Sequence, residues 1–189
     1  MTARLGFYFD ADRCIGCGSC ESACREWNGL ELGTRWRQVV RRVIGVYPDV
    51  SALNVSMACN NCVDAPCVRA CPTGAMYRDG EMNLVQLDPQ TCIGCRYCEW
   101  ACPYGAIQYH AETKKVSKCT LCSDRLQASI APACVTSCPT KCLVFGEIDR
   151  FAAKHPSSSP DFDGLPKSEY ATPNLLMEPT RRARSKSGS

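Results

Sequence analysis

Four groups of cysteine decide what this chain can fold into, because sixteen of its seventeen cysteines fall within them. Group one is Cys14, Cys17, Cys20 and Cys24; group two is Cys59, Cys62, Cys67 and Cys71. Group three is Cys92, Cys95, Cys98 and Cys102; group four is Cys119, Cys122, Cys134 and Cys138. Groups one and three share the spacing C-x2-C-x2-C-x3-C, while the middle gap widens to four residues in group two and eleven in group four. Pro72, Pro103 and Pro139 directly follow the last cysteine of three groups, and Arg25 takes that place in group one. Cys142 alone is left over.

Seventeen cysteines in 189 residues would mark a disulfide scaffold in a short secreted protein. The odd count, the fourfold repeat and the absence of an apolar leader segment argue against one here. Nor does a sequence of this length need staples, since about 150 residues already bury roughly 68–70% of their unfolded surface. Structural zinc also uses C-x2-C pairs, but those pairs stand about 15–20 residues apart rather than crowding four thiols into one stretch.

The spacing matches instead the iron–sulfur run of bacterial ferredoxins, with the trailing proline present in group three. Three thiolates two residues apart wrap one face of an iron–sulfur cube only if the backbone loops tightly, and Gly16, Gly18 and Gly94 sit inside such loops. The fourth cysteine lies about one helical turn beyond the third and faces away, so it serves a different cube. The groups must therefore work in pairs. Groups two and three are neighbours in sequence and form one pair, with groups one and four closing around them. Four [4Fe-4S] sites are expected: Cys14, Cys17, Cys20 with Cys138 (site A); Cys119, Cys122, Cys134 with Cys24 (site B); Cys59, Cys62, Cys67 with Cys102 (site C); and Cys92, Cys95, Cys98 with Cys71 (site D). A cube with a 2+ core and four thiolates carries about −2, so four take the formal charge from +3 to about −5. Burying that charge calls for backbone N–H donors to sulfur.

This predicts an α+β fold of two nested bacterial-ferredoxin-like units. Residues 1–24 and 103–150 form the outer unit, 59–102 the inner one, and 25–58 an inserted β-hairpin. Residues 151–189 form an extended partner-binding tail. Strand patterns occur at Leu5 to Phe9, Trp36 to Val46, Leu53 to Met57, Ala75 to Tyr77, Leu84 to Leu87, Ala106 to Tyr109, Lys115 to Ser117 and Leu143 to Ile148. Asp79-Gly80 signals a hairpin turn. From His155 onward five of the twelve prolines appear without a cysteine, so the tail should lie extended on this domain or on a partner. The last nine residues, holding Arg181, Arg182, Arg184 and Lys186, read as mobile. Without those four charges the balance is 3 − 4 = −1, which offers no basic face for nucleic acid. No uncharged stretch reaches the roughly 18 apolar residues of a membrane span.

The remaining candidates read plainly. Cys142 opens the apolar run Cys142-Leu-Val-Phe145 and is expected as a small buried hydrophobe. Tyr97, Trp100 and Tyr104 should pack beside a cluster and exclude water. Arg35, Arg37, Arg41 and Arg42 read as the solvated face of a strand. No function falls to His110 or His155.

Several stretches add a resemblance: Gly6-Phe-Tyr-Phe-Asp10, Cys59-Asn-Asn-Cys62, Cys71-Pro-Thr-Gly-Ala75, Cys92-Ile-Gly-Cys-Arg-Tyr-Cys98, Ala101-Cys-Pro-Tyr-Gly105, Cys119-Thr-Leu-Cys-Ser-Asp-Arg125 and Pro173-Asn-Leu-Leu. The sequence resembles the four-cluster iron–sulfur subunit of the dimethyl sulfoxide reductase family of molybdopterin oxidoreductases. That resemblance implies a non-catalytic electron-transfer subunit. Its partners would be a large catalytic subunit with a molybdenum or tungsten bis-pterin cofactor and an integral membrane subunit exchanging electrons with quinol. The complex would lie on the periplasmic face if co-exported with a twin-arginine partner, and otherwise in the cytoplasm. A free-standing polyferredoxin is the rival reading, and a zinc-binding interaction module a more distant one. The tail and the long insert favour a docked subunit.

Overall fold

The computed structural model describes residues 3–178 except 45, 49 and 163, together with 180. The basic end, expected to be mobile, lies outside the described residues.

An aromatic strand near the start of the sequence organises the molecule. Strand β1 (Leu5–Asp10) is buried along its middle and sits at the centre of a three-stranded sheet. Its side chains alternate as a strand requires: Phe7 and Phe9 enter the main core, and Tyr8 enters a smaller cluster on the other face. On one edge, β8 (Leu143–Glu147) runs antiparallel to β1, with Phe9 opposite Leu143. On the other, β9 (Leu175–Glu178) runs parallel, with Phe7 opposite Leu175. Helix α6 (Ile148–Lys154) covers the Tyr8 face, where the Tyr8 ring stacks on His155 at 4.2 Å. The strands ahead of group one and behind group four are thus hydrogen-bonded neighbours.

Three hairpins complete the β-structure. They are β2 (Gln38–Ile44) with β3 (Ser51–Met57), β4 (Met76–Arg78) with β5 (Val85–Leu87), and β6 (Ile107–His110) with β7 (Lys115–Lys118). Each lies within about two residues of its expected position. The 79–84 connection is longer than a two-residue Asp-Gly turn. The Asp79 carboxylate organises it by accepting from the N–H groups of Glu81, Met82 and Leu84 at 3.1, 2.7 and 3.0 Å.

The helices are short: α1 (Ser19–Trp27), α2 (Pro66–Arg69), α3 (Tyr97–Ala101), α4 (Ser123–Gln127) and α5 (Ala133–Thr136). Helices of four or five residues do not persist unaided, so their surroundings hold them. Two cores surround them. One gathers Phe7, Phe9, Leu53, Val55, Leu84, Leu121, Leu143 and Met177 with Cys20, Cys59, Cys119, Cys134 and Cys138. The second gathers Met76, Val85, Ile107 and Val116 with Cys67 and Cys98.

Part of the tail lies on this domain and is built into its fold. Ala171, Leu175, Leu176 and Met177 are buried, and β9 supplies a full edge strand. Asn174 ties that strand down: its Oδ1 accepts from Arg4 Nε and Nη2, both at 3.2 Å, and its Nδ2 donates to the Asn61 carbonyl at 2.6 Å. Gly6 is required opposite it, since a Cβ there would lie 2.0 Å from the Asn174 carbonyl oxygen. Asn61 itself is buried and links group two to Leu5, Asn83 and Val85. Asn174→Ala removes three side-chain hydrogen bonds and is expected to cost about 2 kcal/mol or more, read as a lowered unfolding midpoint of the cluster-loaded protein.

Candidate metal centres

The repeat seen in the cysteines recurs in the backbone. In every group the third cysteine is the second residue of a short helix: Cys20 in α1, Cys67 in α2, Cys98 in α3 and Cys134 in α5. The fourth follows one turn later, inside α1 for Cys24 and just past the helix for Cys71, Cys102 and Cys138. Helix α4 occupies the eleven-residue gap of group four, which explains the widened spacing there. The residue before each second cysteine is left-handed: Gly16 at φ 70°, Asn61 at 48°, Gly94 at 70° and Leu121 at 58°. Only the first and third are glycine, so the turn, not the residue type, is what repeats. Gly94 is irreplaceable for a second reason, as a Cβ there would fall 1.9 Å from the Lys114 carbonyl oxygen.

The turns bring cysteines of different groups together. Cys59, Cys62, Cys67 and Cys102 line one cavity. Cys71, Cys92, Cys95 and Cys98 line another. Burial pushes the Cys24 thiol up to about 12, with the Cys134 and Cys122 sulfurs adding to it, so those three stand in one neighbourhood. The Cys14 thiol is held down to about 7, chiefly by a hydrogen bond from Cys142, with Cys20 and Cys138 close by. Backbone donors to sulfur are present as well: Met76 N–H donates to Cys71 Sγ and Leu121 N–H to Cys119 Sγ, each at 3.3 Å.

The unpartnered polar atoms among the described residues test whether these surroundings suit an iron–sulfur cube. Buried side-chain donors without a partner are Arg37 Nε and Nη2, Asn60 Nδ2 and the Tyr104 hydroxyl. Asn60 and Tyr104 line the cavity walled by Cys59, Cys62, Cys67 and Cys102. Arg37 lies among Cys134, Cys119, Cys20 and Cys24. Donors left open beside thiols suit a cofactor that brings acceptor sulfides of its own. Among the described residues no group of three or more Cys, His, Asp or Glu is drawn close enough to grip a single metal ion.

Comparison with known proteins agrees. A family model described as a 4Fe-4S dicluster domain matches residues 50–148, and one described as a 4Fe-4S binding domain matches residues 5–26. The B subunit of anaerobic dimethyl sulfoxide reductase from Escherichia coli strain K12 is 37% identical over 192 residues, covering 97% of this sequence and 93% of that protein. The corresponding subunit of Haemophilus influenzae is 36% identical over 190 residues, covering 96% and 92%. Protein NrfC of Escherichia coli strain K12 is 43% identical over 148 residues, covering 77% and 66%. The protein belongs to the family of anaerobic dimethyl sulfoxide reductase B subunits. As a member it is an iron–sulfur electron-transfer subunit carrying [4Fe-4S] clusters, and its seventeen cysteines suffice for four.

Within this iron–sulfur subunit several side chains depart from their expected places. Arg35, Arg41 and Arg42 are exposed as expected, but Arg37 is only 2% exposed, because it turns inward over the Phe7 ring. Trp100 and Tyr97, expected to exclude water, are instead 70% and 53% exposed. Tyr104 does turn inward, and burial beside Cys62 raises its hydroxyl to about 12. Cys142 is buried as expected, yet its sulfur lies 3.5 Å from that of Cys138. His110 meets Ser117 Oγ at 2.6 Å, and His155 stacks on Tyr8. Lys118, 3% exposed, is a buried cation that the sequence reading misses; its Nζ donates to the carbonyls of Val85 and Cys119. The alternation of β7 carries the signal, since Lys118 shares the inward face of Val116. Arg37, just ahead of β2, sits in no periodic pattern that would reveal it.

Gly94→Ala should cost more than about 2 kcal/mol of stability from its φ and its close contact together. Gly80→Ala, where a Cβ meets nothing within 4 Å, should be close to neutral by comparison in the same thermal unfolding experiment.

Proposed function

We propose that the protein is a relay in which sites A to D, with the ligand sets given above, pass single electrons between two docked partners. Iron–sulfur cubes supply one-electron storage when bound; the polypeptide supplies their spacing, shielding and charge. The observation that carries this reading is the gathering of thiols from groups two and three around two shared cavities, each with three cysteines from one group and the fourth from the other. Residues 1–24 and 103–150 would then act as the outer unit, 59–102 as the inner one, 25–58 as the inserted hairpin and 151–189 as the tail, its later part added to the outer sheet.

Neighbouring sulfurs suggest the order A, B, C, D. Cys24 of site B feels Cys20 of site A, Cys119 of site B feels Cys59 of site C, and Cys67 of site C feels Cys98 of site D. All four cysteines of site B are buried, whereas Cys17 of site A is exposed and Cys92, Cys95 and Cys71 of site D are half-buried. Electrons would therefore enter and leave through the two outer sites. Each carries exposed apolar residues suited to docking: Ile15 beside site A, and Ile93, Tyr97 and Trp100 beside site D. A freely diffusing polyferredoxin has no use for such patches, which favours a subunit held on both sides.

The partners we assign are a molybdopterin catalytic subunit and a quinone-reactive membrane subunit. Among the described residues no helix is long and apolar enough to cross a membrane, so membrane contact would run through that second partner. The complex would face the periplasm if its catalytic subunit carries a twin-arginine signal, and the cytoplasm otherwise.

Two experiments test this. Cys102→Ser should abolish the same EPR signal as Cys62→Ser, and not the one lost in Cys95→Ser, because Cys102 is assigned to site C despite lying in group three. In the purified complex, Ile15→Glu and Trp100→Glu should each keep all the iron but slow coupled turnover more than tenfold, one blocking reduction by quinol and the other reoxidation by the catalytic subunit. Unchanged turnover in both would reject the docking assignment.

A further inference from the structure

Among the described residues, Arg37 is the one guanidinium that the fold drives fully inward, and no carboxylate pairs with it. Its Nη1 donates to Ser56 Oγ at 3.1 Å and to the Ser56 carbonyl at 3.4 Å. Its Cζ stands 4.5 Å from the centroid of the Phe7 ring. Nε and Nη2 are buried without a partner. A buried cation with idle donors is costly unless an anion faces it. The groups around it are the sulfurs of Cys134, Cys119, Cys20 and Cys24. Cys20 is assigned to site A and the other three to site B. Ser56 extends the link, since its hydroxyl also lies 3.5 Å from Cys20 Sγ.

We propose that Arg37 is the counter-ion shared by the clusters of sites A and B, its Nε–H and Nη2–H donating to their sulfur atoms and raising both reduction potentials above what they would be without it. The reasoning is electrostatic. One added electron takes a cube with four thiolates from about −2 to about −3 with no bond made or broken, and a fixed positive charge nearby favours the more negative state. Lys118 differs: it lines the site C cavity and places its positive charge there, but its ammonium already donates to two backbone carbonyls, so it lacks the idle donors of Arg37. Arg37 is thus a positioning residue for charge, which biases electrons toward the A and B half of the relay.

The inference rests on the four-cluster reading, and iron analysis separates the two. Wild-type complex with fewer than sixteen irons per copy of this subunit would defeat that reading before Arg37 is tested. With sixteen present, potentiometric EPR titration of wild type, Arg37→Lys and Arg37→Met in the intact complex reads the effect. Arg37→Met should disfavour reduction of two clusters by tenfold or more, equivalent to about 59 mV for a one-electron couple, and leave the other two unmoved. Arg37→Lys, which keeps the charge, should recover most of the shift. Should the methionine variant fail to hold iron, wild-type protein carrying arginine labelled with nitrogen-15 only in the guanidine group decides alone. Electron–nuclear double resonance should then show a nitrogen-15 coupling at two reduced clusters. Four unmoved potentials in an iron-replete Arg37→Met, or no such coupling in wild type, would overturn the proposal.

Discussion

The fold depends on a left-handed residue placed just before the second cysteine of each group. Gly16, Asn61, Gly94 and Leu121 all redirect the backbone there, turning successive thiols toward a common point before a short helix carries the last one away. Neither half of the device is stable alone. Left-handed backbone disfavours Asn61 and Leu121, and helices such as α2 and α5 are too short to persist. Asn61 offsets its cost with side-chain hydrogen bonds to Leu5, Asn83 and Val85, and Leu121 does so by complete burial. The grip of sulfur on iron closes the arrangement from inside, while β1, β8 and β9 close it from outside.

Charge follows from the same constraint. The [4Fe-4S] clusters bring negative charge into a polypeptide whose own formal charge is +3. The response is local: Arg37 lies among the thiols of the outer pair, and Lys118 adjoins Cys119 and partly opposes the rise that burial gives the Cys67 thiol. Among the described residues neither cation is paired with a carboxylate. Buried positive charge is directed at the cofactor rather than at the protein's own acids, which is how a compact core tolerates redox-active anions at close quarters.

Much of this is legible in the sequence, because iron–sulfur ligation imposes a spacing that few other structures share. The α+β class, all eight strand segments ahead of the tail and the nature of the cofactor follow from cysteine positions and alternation. The illegible parts are those set by long-range packing. The sequence of β9 reads only as extended tail because its proline-rich approach hides a strand of four buried residues, Leu175 to Glu178. Trp100 reads as a shield because aromatic character says nothing about which side of a five-residue helix faces out. Arg37 reads as solvated because charge normally is; only the packing of Phe7 and Ser56 around it shows otherwise. Asp79-Gly80 marks a turn correctly but not its length, which the Asp79 carboxylate sets through three backbone donors.

Native mass spectrometry of the anaerobically purified complex, with this subunit released in its loaded form, addresses the central claim most directly. The account predicts a mass above that of the polypeptide by sixteen irons and sixteen sulfides, lost in steps of one four-iron unit on acidification. A loaded mass fitting zinc, or fitting two cubes with the other eight assigned ligands free, would contradict it.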